Sequence, residues 1–331
     1  MGAESVSIVI VNWNSANLLT EAVESVHQHA GDLVAKIVIV DNASTDTSIA
    51  QLRERTPAGE NLVIVRNREN RGFAAACNQG AALCRSKYIL FLNPDTRLMP
   101  DALQNSLNYI EAAQNAAVGI LGVQMIDESG SVARSCARFP SLKTFVAQVL
   151  GLPRLARFRR LSTHMLDWDH ATTRTVDHVI GAYFFMRLSL FRSLGGFDER
   201  FFVYLEDLDF SLRARQAGWS TTYLSTARIF HAGGGSSRQV KAQRLFYSIR
   251  SRILYAFKHM PRGRAWTVAS LSLFVEPFTR LMLASAHRSA ADAFNTLRAY
   301  WRLWKDLPTV LRVAHRATAL PSRPDGANRT L

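Results

Sequence analysis

The chain has 331 residues, 48% of them hydrophobic, which is enough for one large globular domain with an appendage. Its three cysteines, Cys77, Cys84 and Cys136, are odd in number and lack paired spacing, which argues against a disulfide framework. The net charge of +14 is concentrated at one end, because residues 236–331 hold 17 Lys and Arg against 4 Asp and Glu. This basic tail predicts a phosphate-bearing partner, such as nucleic acid, anionic lipid head groups or a pyrophosphate.

The first apolar run, residues 6–11, bears on cellular location. It follows the acidic Glu4 and ends in the polar Asn12, so it is too short and wrongly flanked for a signal peptide. Unpaired thiols are ordinary buried residues in a reducing compartment. We therefore expect a cytoplasmic protein.

The first 130 residues alternate between apolar, β-branched runs and helix-like stretches. This alternation predicts a mostly parallel sheet that is covered by helices on both faces. In such sheets, ligands bind beyond the carboxyl ends of the strands. The predicted strands are 6–11, 36–40, 62–65, 88–92 and 118–123, and the predicted helices are 17–29, 46–55, 73–85 and one after Pro100.

The second half of the chain is less regular. Gly130 closes a predicted hairpin turn, and residues 136–175 are predicted to be irregular and basic. The later predicted elements are a strand at 176–187, a helix from about Glu206 to 217, a strand at 221–227, a flexible loop at 231–237 and basic helices beyond 240.

Polar side chains follow the first four predicted strands, at the point where each strand ends. Asn12 ends the first, Asp41 the second, Arg71-Gly72 follows the third, and Asn93-Pro94-Asp95 follows the fourth. A sheet built only for packing has no need of polar groups along one edge. The pattern therefore predicts a binding site at that edge.

These motifs resemble family 2 inverting glycosyltransferases of the GT-A fold, and among them bacterial rhamnosyltransferase-like enzymes that build polysaccharides and lipid-linked glycans. The resemblance covers about residues 5–237 and implies an α/β GT-A (nucleotide-diphospho-sugar transferase) domain over 1–237, followed by a basic helical extension over 238–331. Seven motifs in the family's order carry it: Val-Ile-Val-Asn-Trp-Asn at 9–14, Val-Asp-Asn-Ala-Ser-Thr-Asp at 40–46, Asn-Arg-Gly-Phe-Ala-Ala-Ala-Cys-Asn-Gln-Gly at 70–80, Leu-Asn-Pro-Asp at 92–95, Gly-Gly-Phe-Asp-Glu at 195–199, Glu-Asp-Leu-Asp at 206–209, and His231.

The resemblance implies a nucleotide-sugar site. Asp41 would bind the nucleotide base, because a carboxylate accepts from the imide N–H of uracil or thymine, although Asp41 also suits a turn or a helix cap. Gly72 precedes a predicted helix whose N-terminus suits an anion, although a plain loop-to-helix turn has the same pattern. The predicted donor-binding residues are Asn12, Asp41, Arg71, Gly72, Asn78 and Asp95.

The resemblance also implies a divalent metal ion, Mg²⁺ or Mn²⁺, on the donor pyrophosphate. Asp95 stands where the family has its Asp-x-Asp motif, but Asn93 replaces the first acid, so one anionic ligand remains. His231 is the implied second ligand. A turn aspartate and a surface histidine are the alternatives.

Inversion by a single displacement needs a general base for the acceptor hydroxyl. The resemblance implies that Asp207 has this role, whereas all three acids of Glu-Asp-Leu-Asp would also suit a helix N-terminus. Glycines would admit a sugar face and aromatic rings would stack on it, although turn glycines and core aromatics have the same pattern. The predicted acceptor-binding residues are Gly181, Tyr183, Asp198, Glu206 and Asp209.

Residues 240–315 interleave Arg and Lys with Phe, Tyr, Trp and Leu. Their most apolar stretch, 265–286, contains Glu276 and Arg280, so a basic amphipathic helix lying on an anionic membrane is favoured over a membrane span. A helical cap with a solvated basic face is the alternative. A peripheral position at the inner face of the cell membrane would suit a polyprenyl-pyrophosphate-linked acceptor.

The predicted function is transfer of a sugar to a hydroxyl of a glycan or lipid-linked acceptor in bacterial cell-surface polysaccharide synthesis. By analogy, dTDP-L-rhamnose is the favoured donor. A UDP-hexose donor and a catalytically inactive sugar-binding or membrane scaffold protein are the alternatives. No nucleic-acid partner is expected, because the sequence contains no stacking or helix-turn-helix motif and the predicted site edge is acidic.

Overall fold

The computed structural model describes residues 5–56, 61–233 and 240–317, with side chains described as far as residue 314. Most of the predicted loop at 231–237 lies outside these ranges. The described chain begins with the predicted alternation of strands and helices. Its first strands are β1 (Val6–Asn12), β2 (Val34–Asp41), β3 (Leu62–Arg66) and β4 (Tyr88–Leu92), and the helices between them are α1 (Leu18–Ala30), α2 (Ser48–Arg55) and α3 (Phe73–Ala82).

The remaining elements complete the sheet and add a helical C-terminal part. They are β5 (Thr96–Leu98), α4 (Ala102–Glu111), β6 (Val118–Ile126), β7 (Cys136–Ala137), α5 (Leu142–Val149), β8 (Arg174–Val176), β9 (His178–Val179), β10 (Tyr183–Arg187), α6 (Leu188–Ser193), α7 (Glu206–Gln216), β11 (Ser220–His231), α8 (Lys241–His259), α9 (Arg262–Ser270), α10 (Glu276–Ala286) and α11 (Ala290–Ala317). A π-helical turn, Leu271–Val275, joins α9 to α10.

The described residues form a nine-stranded sheet in the order β3-β2-β1-β4-β10-β6-β11-β5, with β8 paired to β11. Strands β1 to β4 are parallel, and so is the β6–β11 pair. Strand β10 is antiparallel to both β4 and β6, so β6 and β11 point the same way as β1. The predicted mostly parallel α/β sheet is confirmed, with three antiparallel strands added to it.

Strand β1 explains why the sheet needs two helical layers. All seven of its residues are buried, and alternate side chains point to opposite faces. Ile8 and Ile10 pack with α1 and α4, whereas Val9 and Val11 pack with α3 and α7. Gly80 lets α3 approach the sheet closely, because a Cβ there would lie 2.5 Å from Val9 Cγ1. This close packing fixes the start of α3 at the carboxyl edge of the sheet.

Two predicted elements differ from the structure. The segment 136–175 is not wholly irregular, because it contains α5, which begins with a capping box between Ser141 and Thr144. The predicted strand at 176–187 is broken into parts of β8, β9 and β10. Strand β8 pairs with β11, whereas β9 pairs with β7 in a separate small sheet. One continuous apolar run cannot reveal a change of pairing partner.

The C-terminal helices pack against the sheet domain and against one another. Helix α8 lies against α7, and α11 returns along α8. A buried ion pair joins Arg252 of α8 to Glu276 of α10, and Glu276 also accepts from Arg280 Nη2 at 2.7 Å. The predicted helical extension is therefore a packed part of the molecule.

One helical stretch within the described residues, Arg262–Ala286, is long and apolar enough to cross a membrane. Its most apolar window has a mean hydropathy of 1.2, and 33% of that window is buried against the rest of the chain. A core helix of a soluble protein passes the same test. The buried Glu276 lies within this stretch.

Candidate active site

A cleft of two adjoining chambers opens at the carboxyl edge of the sheet. We name them by one carboxylate each: the Asp95 chamber encloses 370 Å³ and the Asp207 chamber encloses 450 Å³. Their shared wall includes Phe73, Asn93 and Arg244. A ligand can therefore extend from one carboxylate toward the other without leaving the cleft.

A buried hydrogen-bond network joins the ends of β1 and β2. Asn12 Nδ2 lies 3.0 Å from Asp41 Oδ1 and 2.8 Å from Ser48 Oγ, and both Asn12 and Asp41 are almost wholly buried. The second oxygen of Asp41 faces Arg66 Nε at 3.4 Å, and that arginine is largely exposed. The Asn12 amide thus holds the two loops together, and Asp41 turns one oxygen toward a solvent-accessible cation.

The loop before α3 is held by Asn42, which was not among the predicted site residues. Its amide donates to Gly72 O at 3.1 Å, and its carbonyl oxygen accepts from the Arg71 N–H at 3.1 Å. Gly72 has φ +87°, and a Cβ there would lie 2.5 Å from Phe202 O. Glycine is therefore required at this position, because the Phe202 backbone leaves no room for a side chain. The Arg71 side chain is exposed at the rim.

Asp95 and His231 meet where β5 pairs with β11. His231 Nε2 lies 3.4 Å from Asp95 Oδ1, and the Ala232 N–H donates to Asp95 O at 3.1 Å. Both side chains line the Asp95 chamber. The antiparallel register, which pairs His231 with Thr96, brings together two groups that are 136 positions apart in the sequence.

The spacing of this pair would suit one divalent cation, with the remaining coordination sites left for a ligand's oxygens and for water. Two ligands about 2.1 Å from a common ion lie roughly 3.0 to 3.4 Å apart at angles between square and tetrahedral. The observed 3.4 Å falls at the upper end of that range. No group of three or more His, Cys, Asp or Glu side chains in the described ranges could hold a metal ion. A metal here would need the ligand's own phosphate oxygens.

Asp207 stands at the start of α7, after a strained turn. Tyr204 and Leu205 both lie in the left-handed region, at φ +69° and φ +67°, where non-glycine residues are uncommon. The turn aims the first residues of α7 into the cleft. Such strain persists only where the surrounding structure holds it.

The Asp207 carboxylate is held by three groups. Oδ2 accepts from the Gly181 N–H at 2.9 Å and lies 3.5 Å from His178 Nε2, while Oδ1 accepts from the Leu208 N–H at 2.8 Å. Burial opposes ionisation, but the His178 ring and the two N–H groups outweigh it and hold the pKa of Asp207 below its ordinary value. Asp207 is thus an ionised carboxylate, with 17% of its side chain exposed to the cleft.

Glu206, the preceding residue, has the opposite character. It is buried, and its Oε2 atom has no hydrogen-bond partner among the described residues. Burial, followed by repulsion from Asp207, raises the pKa of Glu206 well above its ordinary value. The pKa values of these two adjacent carboxyl groups are therefore shifted in opposite directions. Glu206 favours its protonated form, and Asp207 favours its charged form.

Eight predicted site residues line neither chamber: Asn12, Asp41, Arg71, Gly72, Asn78, Tyr183, Asp198 and Asp209. The side chains of the last four make contacts within the protein. The Asn78 amide is used by the backbone of Phe197, and Tyr183 is wholly buried and donates to Ser106 Oγ at 2.9 Å. Asp198 pairs with Arg200 and Lys258. Asp209 is wholly buried and pairs with Arg213, Lys258 and His259. All four side chains serve internal packing.

Three residues of the Asp207 chamber were not predicted: His178, His164 and Arg244. His178 also meets Ser211 Oγ at 3.0 Å, which orients its ring toward Asp207. Burial lowers the pKa of His164. A lone histidine 29 positions before Asp207 gives no sequence signal of this contact.

A mostly parallel sheet with a cleft at its carboxyl edge is the architecture of the GT-A fold, which solved glycosyltransferase structures share with this chain. The chain belongs to glycosyl transferase family 2, whose family model matches residues 7–194. This match ends before α7, so the residues around Asp207 lie beyond it.

Relatives of known activity include two rhamnosyltransferases. The chain is 28% identical over 269 residues to the N-acetylglucosaminyl-diphospho-decaprenol L-rhamnosyltransferase of Mycobacterium tuberculosis, covering 76% of this chain and 86% of that one. It is 27% identical over 181 residues to the rhamnosyltransferase WbbL of Escherichia coli, covering 54% of this chain and 62% of that one.

Solved structures share the fold. A mannosyltransferase from Pyrobaculum calidifontis, in complex with GDP-Man and Mn²⁺, has a TM-score of 0.53 at 17% identity, covering 95% of this chain and 86% of that one. S. aureus TarS (1–349) has a TM-score of 0.50 at 14% identity, with 95% and 89% covered. At these identities the likeness supports the GT-A fold alone.

We predict that Asp209→Asn lowers the free energy of unfolding by about 3 kcal/mol, as expected when one partner of a buried ion pair is removed. The folded-state pKa of Asp209 is lowered: burial opposes ionisation, but contacts with His259, Arg213 and Lys258 outweigh it. Its contribution should therefore be present above the unfolded pKa of about 3.9 and be lost as pH falls through the folded pKa. Urea unfolding across pH measures both effects.

The matched control is Asp167→Asn, which breaks a partly exposed pair with Arg138 and should change stability by less than about 1 kcal/mol. Unchanged stability in Asp209→Asn, together with a raised acceptor KM, would return Asp209 to the acceptor-binding role predicted from the sequence.

Proposed function

We propose that this glycosyltransferase inverts the anomeric configuration and moves L-rhamnose from dTDP-L-rhamnose to a hydroxyl of a lipid-linked glycan. The single observation that carries the proposal is the Asp207 carboxylate, which is held by the Gly181 N–H and His178 and lines a cleft that continues to the Asp95–His231 pair. The names of the two rhamnosyltransferase relatives support the donor sugar. The first of them acts on a polyprenyl-diphosphate acceptor, which supports the acceptor class.

The nucleotide would bind along the ends of β1 to β4. Asp41 would accept the imide N–H of thymine, and Arg71 at the rim would lie beside the phosphates. Asp95 and His231 would hold Mg²⁺ or Mn²⁺, which would neutralise the charge that develops on the leaving diphosphate. Asn93 lines both chambers and is placed to donate to a sugar or phosphate oxygen between them.

The chemical step is one displacement. The acceptor oxygen attacks the anomeric carbon while Asp207 takes the hydroxyl proton. The bond from that carbon to the diphosphate oxygen breaks with its electron pair, so nucleoside diphosphate leaves and the configuration inverts. Gly181 N–H and His178 hold Asp207 in the position from which it meets the acceptor. Glu206, favoured in its neutral form, adds no second negative charge beside the base.

The C-terminal helices would lie on an anionic membrane at its cytoplasmic face. Phe278 and Met282 are about 70% exposed, and basic residues interleave with exposed aromatic residues through α9 to α11. Apolar side chains with nearby cations are typical of helices that lie in the membrane interface. This location would bring the cleft near a lipid-linked acceptor.

Two alternatives remain in the same cleft. A UDP-hexose donor would use the same Asp41 contact, since uracil and thymine share the imide N–H. An inactive sugar-binding or scaffold protein would keep the cleft without turnover. The held, ionised Asp207 favours a working transferase over a scaffold.

We expect dTDP with Mn²⁺ or Mg²⁺ to stabilise the purified protein by about 2.7 kcal/mol at 100 times its Kd, because the ligand binds only the folded state. Asp95→Asn should abolish the metal-dependent part of this stabilisation. Thermal unfolding with a panel of nucleoside diphosphates, with and without metal, measures it.

Asp32→Asn, an exposed acid outside the cleft, is the matched control and should leave the stabilisation unchanged. Stabilisation by UDP in preference to dTDP would replace the proposed donor. No response to any nucleotide well above millimolar concentration would contradict a working transferase.

We also predict that Phe278→Ser combined with Met282→Ser weakens binding to vesicles containing anionic lipid by about tenfold or more, because burial of each side chain contributes roughly 1.5 to 3 kcal/mol. Sedimentation with vesicles measures the change. The control, Leu83→Ser, removes an exposed apolar residue from the sheet domain and should bind like wild type. Equal binding by the double variant and wild type would refute the proposed membrane face.

A further inference from the structure

A third concavity lies between α8 and α11, beside the cleft but outside its two chambers. It encloses 730 Å³, more than either chamber. Its lining is basic: five cations face it against one carboxylate, Asp306. The cations are Lys241, Arg250, Arg298, Arg302 and Lys305. We call this concavity the basic groove.

The cations of the basic groove are only partly neutralised by the protein. Lys241 pairs with Asp292 at 3.7 Å, whereas the described ranges show no ion pair between a carboxylate and Arg298, Arg302 or Lys305. Burial lowers the pKa of Arg250, and the charge of Asp306 opposes that effect. An anion bound beside this guanidinium would further offset the cost of burying its charge. The groove thus favours a compact, multiply charged anion.

Two of the arginines are held ready for such an anion. Arg302 lies over the Phe246 ring, 4.8 Å from its centroid. Arg250 Nη1 donates to Arg200 O at 2.9 Å, and no second acceptor for this guanidinium is found among the described residues. Fixed guanidinium groups suit phosphate oxygens, which they bind through two parallel hydrogen bonds.

Helix α11 carries a second, apolar stripe next to the basic one. Arg298, Arg302 and Lys305 follow i, i+4, i+7 spacing and share one helix face. The neighbouring stripe consists of exposed large apolar residues. They are Phe294, Leu297, Trp301 and Trp304. Trp301 is 66% exposed and also lines the basic groove, so the apolar stripe begins where the anion site ends.

The basic groove is continuous with the cleft. Phe202 and Tyr247 line both the groove and the Asp95 chamber, and their rings stack with centroids 4.5 Å apart. A molecule anchored in the groove can therefore pass over this stacked pair into the Asp95 chamber, and from there toward the adjoining Asp207 chamber. Aromatic rings of this kind provide apolar surface for a sugar face.

We propose that the basic groove binds the diphosphate of a polyprenyl-diphosphate-linked acceptor, whose prenyl chain follows the apolar stripe of α11 and whose sugar extends over Phe202 and Tyr247 into the cleft. The inference rests on the proposed function for the identity of the acceptor. The two negatively charged phosphates match the uncompensated cations, and the prenyl chain matches the exposed aromatic rings.

The test is a calorimetric titration of the full chain with geranyl diphosphate, a soluble prenyl diphosphate, and with inorganic pyrophosphate. The variant Arg298→Gln/Lys305→Gln removes two exposed cations that form no ion pair with a carboxylate in the described part of the chain. We expect it to weaken geranyl diphosphate binding by about tenfold or more, as for the loss of at least one charge-assisted hydrogen bond. Binding of dTDP with Mn²⁺ should change by less than about twofold.

The matched control, Arg264→Gln/Arg312→Gln, removes the same charge from exposed positions outside the groove and should leave both affinities unchanged. If both variants weakened geranyl diphosphate binding equally, the loss would follow from the change in net charge alone, and the proposed site would be overturned. Unchanged binding in the groove variant would also overturn it.

The remaining outcomes separate the sources of the anion. Geranyl diphosphate that binds no tighter than inorganic pyrophosphate would contradict a lipid ligand. Loss of dTDP binding in the groove variant would assign the groove to the donor, and displacement of geranyl diphosphate by a short RNA at lower concentration would assign it to nucleic acid. Failure of every nucleotide to bind the wild-type chain would defeat the proposed function, whereas the geranyl diphosphate result would still test the groove.

Discussion

The positions of α7 and of the C-terminal helices at the cleft depend on one buried carboxylate, Asp209. It lies on α7, two residues after Asp207, and its partners Lys258 and His259 lie at the end of α8. A buried charge is tolerated only with close, hydrogen-bonded partners, so this cluster fixes α7 against α8. The same contact therefore orients the proposed base and brings the C-terminal helices to the cleft. The predicted domain boundary at residue 237 consequently separates two parts that share one site.

The cleft concentrates unfavourable features that the surrounding structure must offset. Two consecutive non-glycine residues, Tyr204 and Leu205, lie in the left-handed region, and Glu206 has a buried oxygen without a described partner. Strain and unsatisfied polar groups of this kind cluster at functional sites. Here they flank an ionised Asp207, whose charge is supported by His178 and two N–H groups. The packing of α7 on α8 offsets the free-energy cost of this strain and of the unpaired Glu206 oxygen.

Much of the fold could be predicted because β1 to β4 and their helices follow short-range patterns. Apolar strands that end in Asn12 and Asp41, or are followed closely by Asp95, identify the sheet edge without knowledge of tertiary contacts. The division of 176–187 between two sheets was not predictable, since pairing partners are long-range. The contacts of the polar site candidates were not predictable for the same reason: an acid such as Asp209 looks identical in sequence whether it faces a ligand or a buried lysine. His178 and the basic groove arise only from packing.

The most direct test of the account is turnover by Asp207→Asn, with Glu206→Gln beside it, using dTDP-L-rhamnose and a polyprenyl-diphosphate-linked N-acetylglucosamine acceptor. Loss of the general base should lower kcat by about 10²- to 10⁴-fold, while dTDP affinity in the same samples stays at the wild-type level. Glu206→Gln should retain far more activity, because Glu206 is favoured in its neutral form. An Asp207→Asn enzyme with kcat within about twofold of wild type would contradict the account.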